Sequence, residues 1–509
     1  MIKSHFIFFK GSDCHGVFIL EYRNRAPTSG IEHETQAIIF FNVSFRTDVM
    51  KNANVLLINP WIYDFAAYDF WSKPLGLLYL AGILRKNSIS VQLIDCLNPI
   101  HPGLSDDSGI RKPKRKGFGQ GQYPREVIAK PEPLQDIPRN YHRYGISPRL
   151  LRQELRSCAS PDLILVSSMM TYWYPGVFDV IRIVKELLPG VPVLLGGNYA
   201  TLCPEHALLS GADHILPGEG EQHLRFIIEE LLQQEITFLP DPADLDTLPY
   251  PAFDLLPYKG QLPIMTSRGC PFRCVYCASH ILNSGFRRRS PGRVAEEIAF
   301  WNRRFGIAHF SFYDDAFLME PEEMAVPLMD ELIRRGLSCQ FHCPNGLHLR
   351  SIDEKIGRLM LRSGFRTLRF GFETSDAGQQ VRTGGKVSNE HLERAVSCLK
   401  QAGYKASEIG MYLLCGLPGQ TAQEVEESIR FVLSYGAKPI LAEFSPIPGT
   451  GLWNRSVSTS PYDLVNEPLF QNNTLLPCRH EYFTYEDYRR LKSMIRFCGK
   501  TGSPPLAAP

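Results

Sequence analysis

The sequence predicts an α/β protein with two parallel-sheet domains: a doubly wound, Rossmann-type domain, and then a partial (β/α)6 barrel. Two observations predict this. Short continuous apolar runs alternate with amphipathic segments over residues 54–235, a pattern typical of a parallel sheet with helices on both faces. Strand-then-helix units resume at residue 262 and repeat to about residue 446, which indicates an incomplete, six-stranded relative of the parallel barrel.

Composition bounds the possible functions. The chain has 509 residues, enough for two or three domains, and 44 % of them are hydrophobic. The net charge of +2 gives no argument for nucleic acid or an anionic membrane as a partner. No window reaches the roughly 18 apolar residues of a membrane span, and the first residues lack a secretory signal. With thirteen cysteines, most of them scattered, a reducing cytoplasm is the predicted location.

Five regions are predicted along the chain. Residues 1–50 carry no clear period, so we expect either a loose extension or a true start at Met50. The remaining boundaries follow the change in pattern: 51–240 for the first domain, 97–145 for an insertion in it, 241–261 for a proline-rich linker, 262–450 for the barrel and 451–509 for a C-terminal extension.

In the first domain, strands are predicted at 54–59, 90–95, 162–167, 191–196 and 213–216, and helices at 75–86, 147–157, 176–188 and 221–234. Ligands of such domains bind beyond the carboxyl ends of the strands. The loops there are rich in glycine, which lets a flat ligand approach the backbone. The candidate ligand-binding residues in these loops are Ser167, Gly196, Gly197, Gly218 and Glu219. Tight turns are the alternative explanation of any one of these glycines.

The insertion contains a basic run, residues 111–125, interleaved with glycine. It lacks the Gly-x-x-x-x-Gly-Lys-Ser/Thr pattern of a phosphate-binding loop. We interpret it as a solvated loop or a lid over the active site, with a nucleic-acid patch as the alternative.

Three cysteines crowd into eight residues at the start of the barrel: Cys270, Cys274 and Cys277. This Cys-x-x-x-Cys-x-x-Cys spacing can bind three irons of a [4Fe–4S] cluster and leave the fourth iron open. A structural zinc site or an electron-transfer cluster normally closes its shell with four ligands. Two alternatives remain: a zinc site completed by His280, and three unrelated cysteines.

The cysteine loop, with the aromatic Tyr276 before its last cysteine, resembles the signature of the radical S-adenosylmethionine (SAM) superfamily. The resemblance implies that SAM chelates the open iron. The first domain is similar to the cobalamin-binding domain that precedes many such barrels, through residues 73–82, the Gly-Gly loop and the Gly-Glu-Gly-Glu segment. No Asp-x-His-x-x-Gly occurs, so a histidine ligand for cobalt is not predicted, and a domain that has lost cobalamin is the alternative.

The barrel strands are predicted at 262–267, 307–313, 339–343, 366–372, 409–415 and 438–445. Their carboxyl ends carry the polar candidates. The resemblance assigns one carboxylate of Asp314 and Asp315 to the SAM amino group, and Glu373 to the SAM ribose or amino group, with a helix cap and a structural ion pair as alternatives. It places the backbone of Gly416 and Gly419, in a Gly-Leu-Pro-Gly-x-Thr segment, near the adenine.

The implied function is reductive cleavage of SAM at the cluster, with cobalamin-dependent methyl transfer to an unactivated carbon of a small-molecule substrate. A reductase, flavodoxin or ferredoxin is the implied electron donor. Radical cyclisation or rearrangement is the first alternative, and a non-catalytic iron–sulfur redox or sensor protein is the second. Methylthio transfer to tRNA is disfavoured because the first domain lacks a second three-cysteine set. The C-terminal extension is predicted to cover the substrate side, with one helix at 485–497.

Overall fold

The computed structural model describes residues 53–107 and 109–501, together with two short strands near the N-terminus. The strands are β1 (Lys3–Phe8), β2 (Gly16–Glu21), β3 (Asn54–Asn59), β4 (Ile62–Asp64), β5 (Ser90–Asp95), β6 (Arg125–Ile128), β7 (Tyr141–Tyr144), β8 (Leu163–Val166), β9 (Val193–Gly196), β10 (His214–Leu216), β11 (Leu262–Ile264), β12 (Ser267–Arg268), β13 (Arg287–Arg288), β14 (His309–Phe312), β15 (Gln340–Leu347), β16 (Phe365–Glu373), β17 (Ile409–Cys415) and β18 (Lys438–Glu443). The helices are α1 (Leu75–Lys86), α2 (Pro148–Ser157), α3 (Tyr174–Leu187), α4 (Asn198–Leu202), α5 (Pro204–Ala207), α6 (Ser279–Leu282), α7 (Pro291–Phe305), α8 (Ala325–Arg334), α9 (Glu354–Ser363), α10 (Ala377–Arg382), α11 (Asn389–Ala402), α12 (Ala422–Ser434), α13 (Trp453–Thr459) and α14 (Tyr485–Thr501).

Residues 1–51 and 52–509 form separate units. In the first unit, β1 and β2 pair antiparallel. The predicted start at Met50 lies outside the described residues. Within the described part of the chain, no helix is both long and apolar enough to cross a membrane.

The first domain is a five-stranded parallel sheet in the order β10–β9–β8–β3–β5, as the doubly wound prediction requires. Side chains of β3 alternate between two hydrophobic clusters: Val55 and Leu57 face one, while Leu56 and Ile58 face the other. Both faces are therefore buried, which is why the strand has a continuous apolar sequence. The predicted helix at 221–234 forms as an irregular helix, in which a 3₁₀ turn, Gly220–His223, continues through two α-helical residues into a π-helical segment, Phe226–Leu231.

The second domain is an open, six-stranded parallel sheet in the order β11–β14–β15–β16–β17–β18. Phenylalanines of β14, β15 and β16 pack together on one side of it: Phe341 contacts both Phe312 and Phe365, whose ring centroids lie 5.3 Å apart. These rings pack the sheet against its helices, so the polar side chains on the opposite surface are free to line an interior. The register of β16 against β17 shifts between Gly371 and Glu373.

The insertion packs against the rest of the chain, but its basic run is largely solvated: Arg111, Lys112, Lys114 and Lys116 are exposed, and Arg115 is half-buried. Its strands β6 and β7 form an antiparallel sheet with β4. Arg115 pairs with the buried Asp69 at 2.7 Å, and the Trp71 indole donates a hydrogen bond to the Phe118 carbonyl oxygen. Trp71 also stacks on His342 of β15 at 4.5 Å. Phe118 of the insertion and Trp71 of the first domain therefore join the first domain to β15 of the barrel.

The C-terminal extension packs across both domains. Leu469 and Leu475 are buried in a core cluster of the first domain, while Leu476 belongs to the cluster that includes the barrel. The Asn472 side chain donates a hydrogen bond to the buried Asp64 at 2.8 Å. The extension thus acts as a strap between the two domains. The predicted terminal helix forms as α14.

Candidate active site

The three cysteines line one cavity at the carboxyl ends of the barrel strands. Cys270, Cys274 and Cys277 follow β11 in a loop whose two ends are joined by the short β12–β13 pair. The cavity has a volume of about 270 Å³, and all three thiols contribute to its wall. They are free thiols, and burial raises the pKa of the Cys270 thiol to about 11. A metal would therefore have to displace the proton when it binds, as thiolate ligation requires.

Within the described residues, no three His, Cys, Asp or Glu side chains converge on the geometry of a single bound metal ion. A cubane cluster requires thiols that are spaced apart, because each thiolate binds a different iron. The three thiols around this cavity have that arrangement. The cysteine loop therefore fits the cluster that the spacing predicts.

The cavity wall also contains polar side chains from the neighbouring strand ends. They are Asp315, Asn345, His348, Glu373, Lys386 and Tyr412. Asp315, Glu373 and Tyr276 were expected at such a site from the sequence. Lys386 and His348 were not singled out, because nothing in their local sequence distinguishes them from other loop residues.

Glu373 and Lys386 form a buried ion pair in the cavity, with 2.6 Å between the Lys386 Nζ and Glu373 Oε1 atoms. Burial opposes the charge of Lys386, but Glu373 and the nearby thiols outweigh it, so the pKa of the ammonium is raised. Glu373 has a φ of +71°, which a residue other than glycine rarely adopts. Strain of this kind is found where the surrounding structure holds a side chain at a functional position.

Tyr276 gives an independent indication that the cavity holds a polar ligand. Its hydroxyl is buried and faces the Glu373 carboxylate and the Cys274 thiol without a well-formed hydrogen bond to either. A buried polar group without a partner costs about 1–3 kcal/mol, so such groups are normally satisfied by a ligand or water. The carboxylates of Asp315 and Glu373 and the ammonium of Lys386 add charges of both signs. This donor set fits the amino and carboxylate groups of SAM.

The two adjacent aspartates take different positions. Asp314 lies beneath the cysteine loop, where its carboxylate accepts hydrogen bonds from the Thr266 amide, the Thr266 hydroxyl and the Ser267 hydroxyl. Asp315 lines the cavity and accepts a hydrogen bond from the Ser279 hydroxyl at 2.6 Å. Asp315 is therefore the member of the pair that is placed to meet a ligand, and Asp314 holds the loop.

Gly416 and Gly419 do not line this cavity. Both have positive φ, +83° and +76°, and the Gly416 amide donates a hydrogen bond to the Gln420 side chain at 2.9 Å. These contacts account for the two glycines through the shape of the turn before α12. The expected contact between their backbone and an adenine stays a prediction.

The loops predicted to bind cobalamin meet at one edge of the first sheet. Gly197 has a φ of +94°, and a Cβ atom there would lie 2.2 Å from the Ser168 carbonyl oxygen, so the loops after β8 and β9 touch through their backbones. Met169 and Met170 of the same edge are 37 % and 41 % exposed. Helix α4, which follows Gly197, contacts α6, which follows Cys277. This glycine-containing, partly apolar edge therefore lies beside the helix that follows the cysteine loop.

Glu219 forms ion pairs with residues of the barrel, and its predicted contact with cobalamin stays a prediction. Its carboxylate contacts the guanidinium groups of Arg268 and Arg287, on the β12–β13 pair, and does not face the open edge. The expectation that ligands bind beyond the carboxyl ends of the strands singled out the loop after β10, which contains Glu219. It could not predict which way the side chain points, because the two arginines lie in the other domain.

Comparison with known proteins gives a family match for each of the two domains. The Radical SAM superfamily profile matches residues 264–432, and the B12 binding domain profile matches residues 148–227. An uncharacterized methyltransferase of Pyrococcus horikoshii, PH0819, is 27 % identical over 66 % of this chain and 78 % of its own. Cytidylyl-2-hydroxyethylphosphonate methyltransferase of Streptomyces wedmorensis is 23 % identical over 80 % of this chain and 82 % of its own.

A solved structure shares the fold. It is the radical S-adenosylmethionine methyltransferase TsrM from Kitasatospora setae, with cobalamin and a [4Fe–4S] cluster bound. The TM-score is 0.59 at 16 % identity, and the match covers 81 % of this chain and 79 % of that one. Its two-domain arrangement therefore agrees with the one described above.

Proposed function

We propose that this chain, which belongs to the radical SAM superfamily and carries an N-terminal B12-binding domain, is a cobalamin-dependent methyltransferase. We propose further that it methylates an unactivated carbon of a small-molecule substrate. One observation supports the proposal: three free thiols and a buried Glu373–Lys386 pair line one cavity, and α4, at the predicted ligand-binding edge of the B12-binding domain, contacts α6, which follows Cys277.

The residues divide among three ligands. Cys270, Cys274 and Cys277 would hold a [4Fe–4S] cluster. Lys386, Glu373, Asp315 and Tyr276 would bind SAM, and the loop edge at Ser167, Gly196, Gly197 and Gly218 would bind cobalamin. When bound, these cofactors supply a 5′-deoxyadenosyl radical and a transferable methyl group, which no amino-acid side chain can provide.

The protein's own part is to bind, orient and exclude water. Lys386 and Glu373 present an ammonium and a carboxylate 2.6 Å apart, so each can turn from its partner to the opposite charge of an amino acid moiety. Phe272, which stacks on His348 at 4.9 Å, and Tyr276 close the cavity wall. Burial lowers the pKa of His348 to about 4, so its imidazole is neutral and leaves the cationic role to Lys386. Exclusion of water protects a reactive intermediate from quenching.

Methyl transfer is favoured by the two relatives described above, both of which are named as methyltransferases. Other relatives, which match about half of this chain at 24–26 % identity, are named as cyclases, so cyclisation stays the first alternative. Cyclisation or rearrangement uses the same cofactors and differs in the fate of the substrate. A non-catalytic iron–sulfur protein would contain the cluster without cleaving SAM. We also propose a one-electron donor of the flavodoxin or ferredoxin type, because cleavage of the sulfonium consumes one electron.

The proposal is tested by anaerobic reconstitution with iron and sulfide, reduction, and assay of 5′-deoxyadenosine and S-adenosylhomocysteine, with and without hydroxocobalamin. We expect 5′-deoxyadenosine in the reduced sample and cobalamin-dependent formation of S-adenosylhomocysteine. The Cys274→Ala variant should form neither product, while Cys158→Ser, a substitution in the first domain, should behave as wild type. Failure of the wild type to cleave SAM, or full iron content in Cys274→Ala, would overturn the proposal.

A further inference from the structure

The base of the cysteine loop carries two arginines that face each other. The antiparallel pair β12–β13 closes residues 269–286 into a loop that contains all three cysteines, and Arg268 is the register partner of Arg287. The two side chains are only 11 % and 13 % exposed. Like charges directly opposite in a β-ladder repel each other, and burial reduces the screening of that repulsion by solvent. The loop therefore needs negative charge at its base.

That negative charge comes from the other domain. Glu219, in the loop after β10, hydrogen bonds to Arg287 and lies 3.7 Å from Arg268. Glu221, two residues later, lies 2.6 Å from the other terminal nitrogen of Arg268. Both carboxylates are nearly buried, at 8 % and 10 % exposure. Two glutamates of the B12-binding domain thus balance two arginines of the barrel.

The position of these contacts gives them a role beyond stability. Arg268 lies two residues before Cys270, and Glu219 follows Gly218, which belongs to the predicted cobalamin edge. Buried ion pairs add little net stability because of their desolvation cost, but they fix the geometry of the groups that they join. These pairs join the cobalamin edge to the loop that carries the cluster ligands.

We propose that Glu219 and Glu221 are positioning residues through which the B12-binding domain sets the conformation of the cysteine loop for SAM binding. This inference rests on the proposed function, since it assumes a cluster in that loop and SAM beside it. The mechanism is electrostatic: the two glutamates cancel the repulsion between Arg268 and Arg287. This mechanism predicts that removal of one arginine compensates for the loss of Glu219.

The test uses the full-length, anaerobically reconstituted protein. Iron content, thermal unfolding and the electron paramagnetic resonance (EPR) spectrum of the reduced cluster are measured during a SAM titration. Glu219→Gln should retain its cluster, but half of the SAM-induced spectral change should require about fivefold more SAM, the lower end of the range for coupling between sites. Glu219→Gln combined with Arg287→Gln should return toward the wild-type titration.

Glu297→Gln is the matched control, because it breaks a buried pair with Arg289 at 2.6 Å that lies wholly within the barrel and next to the same hairpin. It should lower the unfolding temperature without shifting the SAM titration. The inference is overturned if Glu219→Gln titrates as wild type, if Glu297→Gln shifts the titration equally, or if Arg287→Gln gives no rescue. Should Glu219→Gln fail to fold, Glu221→Gln and Glu219→Asp provide the same comparison. A wild-type spectrum that does not respond to SAM would instead contradict the proposed function.

Discussion

Lys386 and Glu373 pair across the cavity that the three cysteines line, with 2.6 Å between charged atoms. Lys386 also lies 5.5 Å from the centroid of the Tyr276 ring, so the ammonium, the carboxylate and the unpaired hydroxyl share one space. An ion pair within a binding cavity has two possible roles. In the first role, both charged groups bind the ligand directly. In the second role, the ion pair acts as a lock: it competes with the ligand and must break before the ligand binds.

Substitution of Lys386 separates these roles. If the ammonium binds the SAM carboxylate, Lys386→Gln should weaken SAM binding by about tenfold to a hundredfold, since hydrogen bonds to charged groups contribute about 1.5–3 kcal/mol. Calorimetric titration of SAM into the anaerobic, cluster-containing protein measures the change. Lys355→Gln is the control, because Lys355 pairs with Glu322 at the surface, with 59 % of its side chain exposed. Tighter SAM binding in Lys386→Gln would show that the pair is a lock.

The adjacent aspartates should give opposite phenotypes. Asp314→Asn removes an acceptor that serves Thr266 and Ser267, so we expect a loss of about 2–4 kcal/mol of folding free energy and a lower iron content. Asp315→Asn should retain its fold and its iron, and should bind SAM more weakly. Thermal unfolding, iron analysis and SAM titration of the two variants form the test. Weak SAM binding by an otherwise intact Asp314→Asn protein would contradict this division.

The strands of the two parallel sheets were predictable to within about four residues because most of them contain a short apolar run between turns. The short antiparallel strands β4, β6, β7, β12 and β13 were not predicted. The prediction of 54–59 matches β3, and that of 409–415 matches β17. The cysteine spacing located the site for a similar reason, since the chemistry lies within eight consecutive residues. Local sequence was sufficient to predict both the strand positions and the cysteine loop.

Contacts between distant residues could not be predicted. Lys386 reaches the site because Gly384 packs against Cys274, more than a hundred residues earlier, and no periodicity marks either end. Trp71 meets His342 across the domain boundary, which a pattern of single strands does not reveal. The sequence places Glu219 at the carboxyl edge of the first sheet, but the direction of its side chain depends on two arginines of the other domain.

His342 should make stability depend on pH. Burial lowers its pKa from 6.5 to about 3, with His309 and Arg369 adding to the effect. Between pH 6.5 and 3 the unfolded chain therefore binds more protons at this histidine than the native chain does. The contribution of neutral His342 to the free energy of unfolding is complete above pH 6.5 and is lost as the pH falls. From pH 7 to pH 5 the loss is about 2 kcal/mol.

The measurement compares wild type with His342→Phe, which keeps a flat ring against Trp71. Urea unfolding of both proteins at pH 7 and pH 5 isolates the histidine, because buried carboxylates such as Asp314 titrate equally in the two. We expect the wild type to lose more stability than the variant on acidification. Equal losses would mean that His342 becomes protonated as readily in the folded protein as in the unfolded chain.

Gly384 and Gly385 offer a matched pair of substitutions beside the cysteine loop. Gly384 has a φ of +128°, and a Cβ atom there would lie 3.1 Å from the Cys274 Cα and 3.4 Å from its Sγ atom. Gly385 has a φ of +63°, and nothing lies within 4 Å of its Cβ position. The Thr383 carbonyl oxygen accepts a hydrogen bond from the Val275 amide at 3.3 Å, so this segment is attached directly to the loop.

Both substitutions to alanine strain the backbone, but only one displaces a cluster ligand. Gly385→Ala should cost about 1–2 kcal/mol and leave the iron content unchanged, because a left-handed φ costs that much for an L-residue. Gly384→Ala adds a steric conflict with Cys274, so we expect it to lose iron as well. Iron and sulfide analysis after gel filtration, with thermal unfolding of both variants, makes the comparison. Equal iron retention would show that Cys274 can shift without loss of the cluster, and that contact with Gly384 does not set its position.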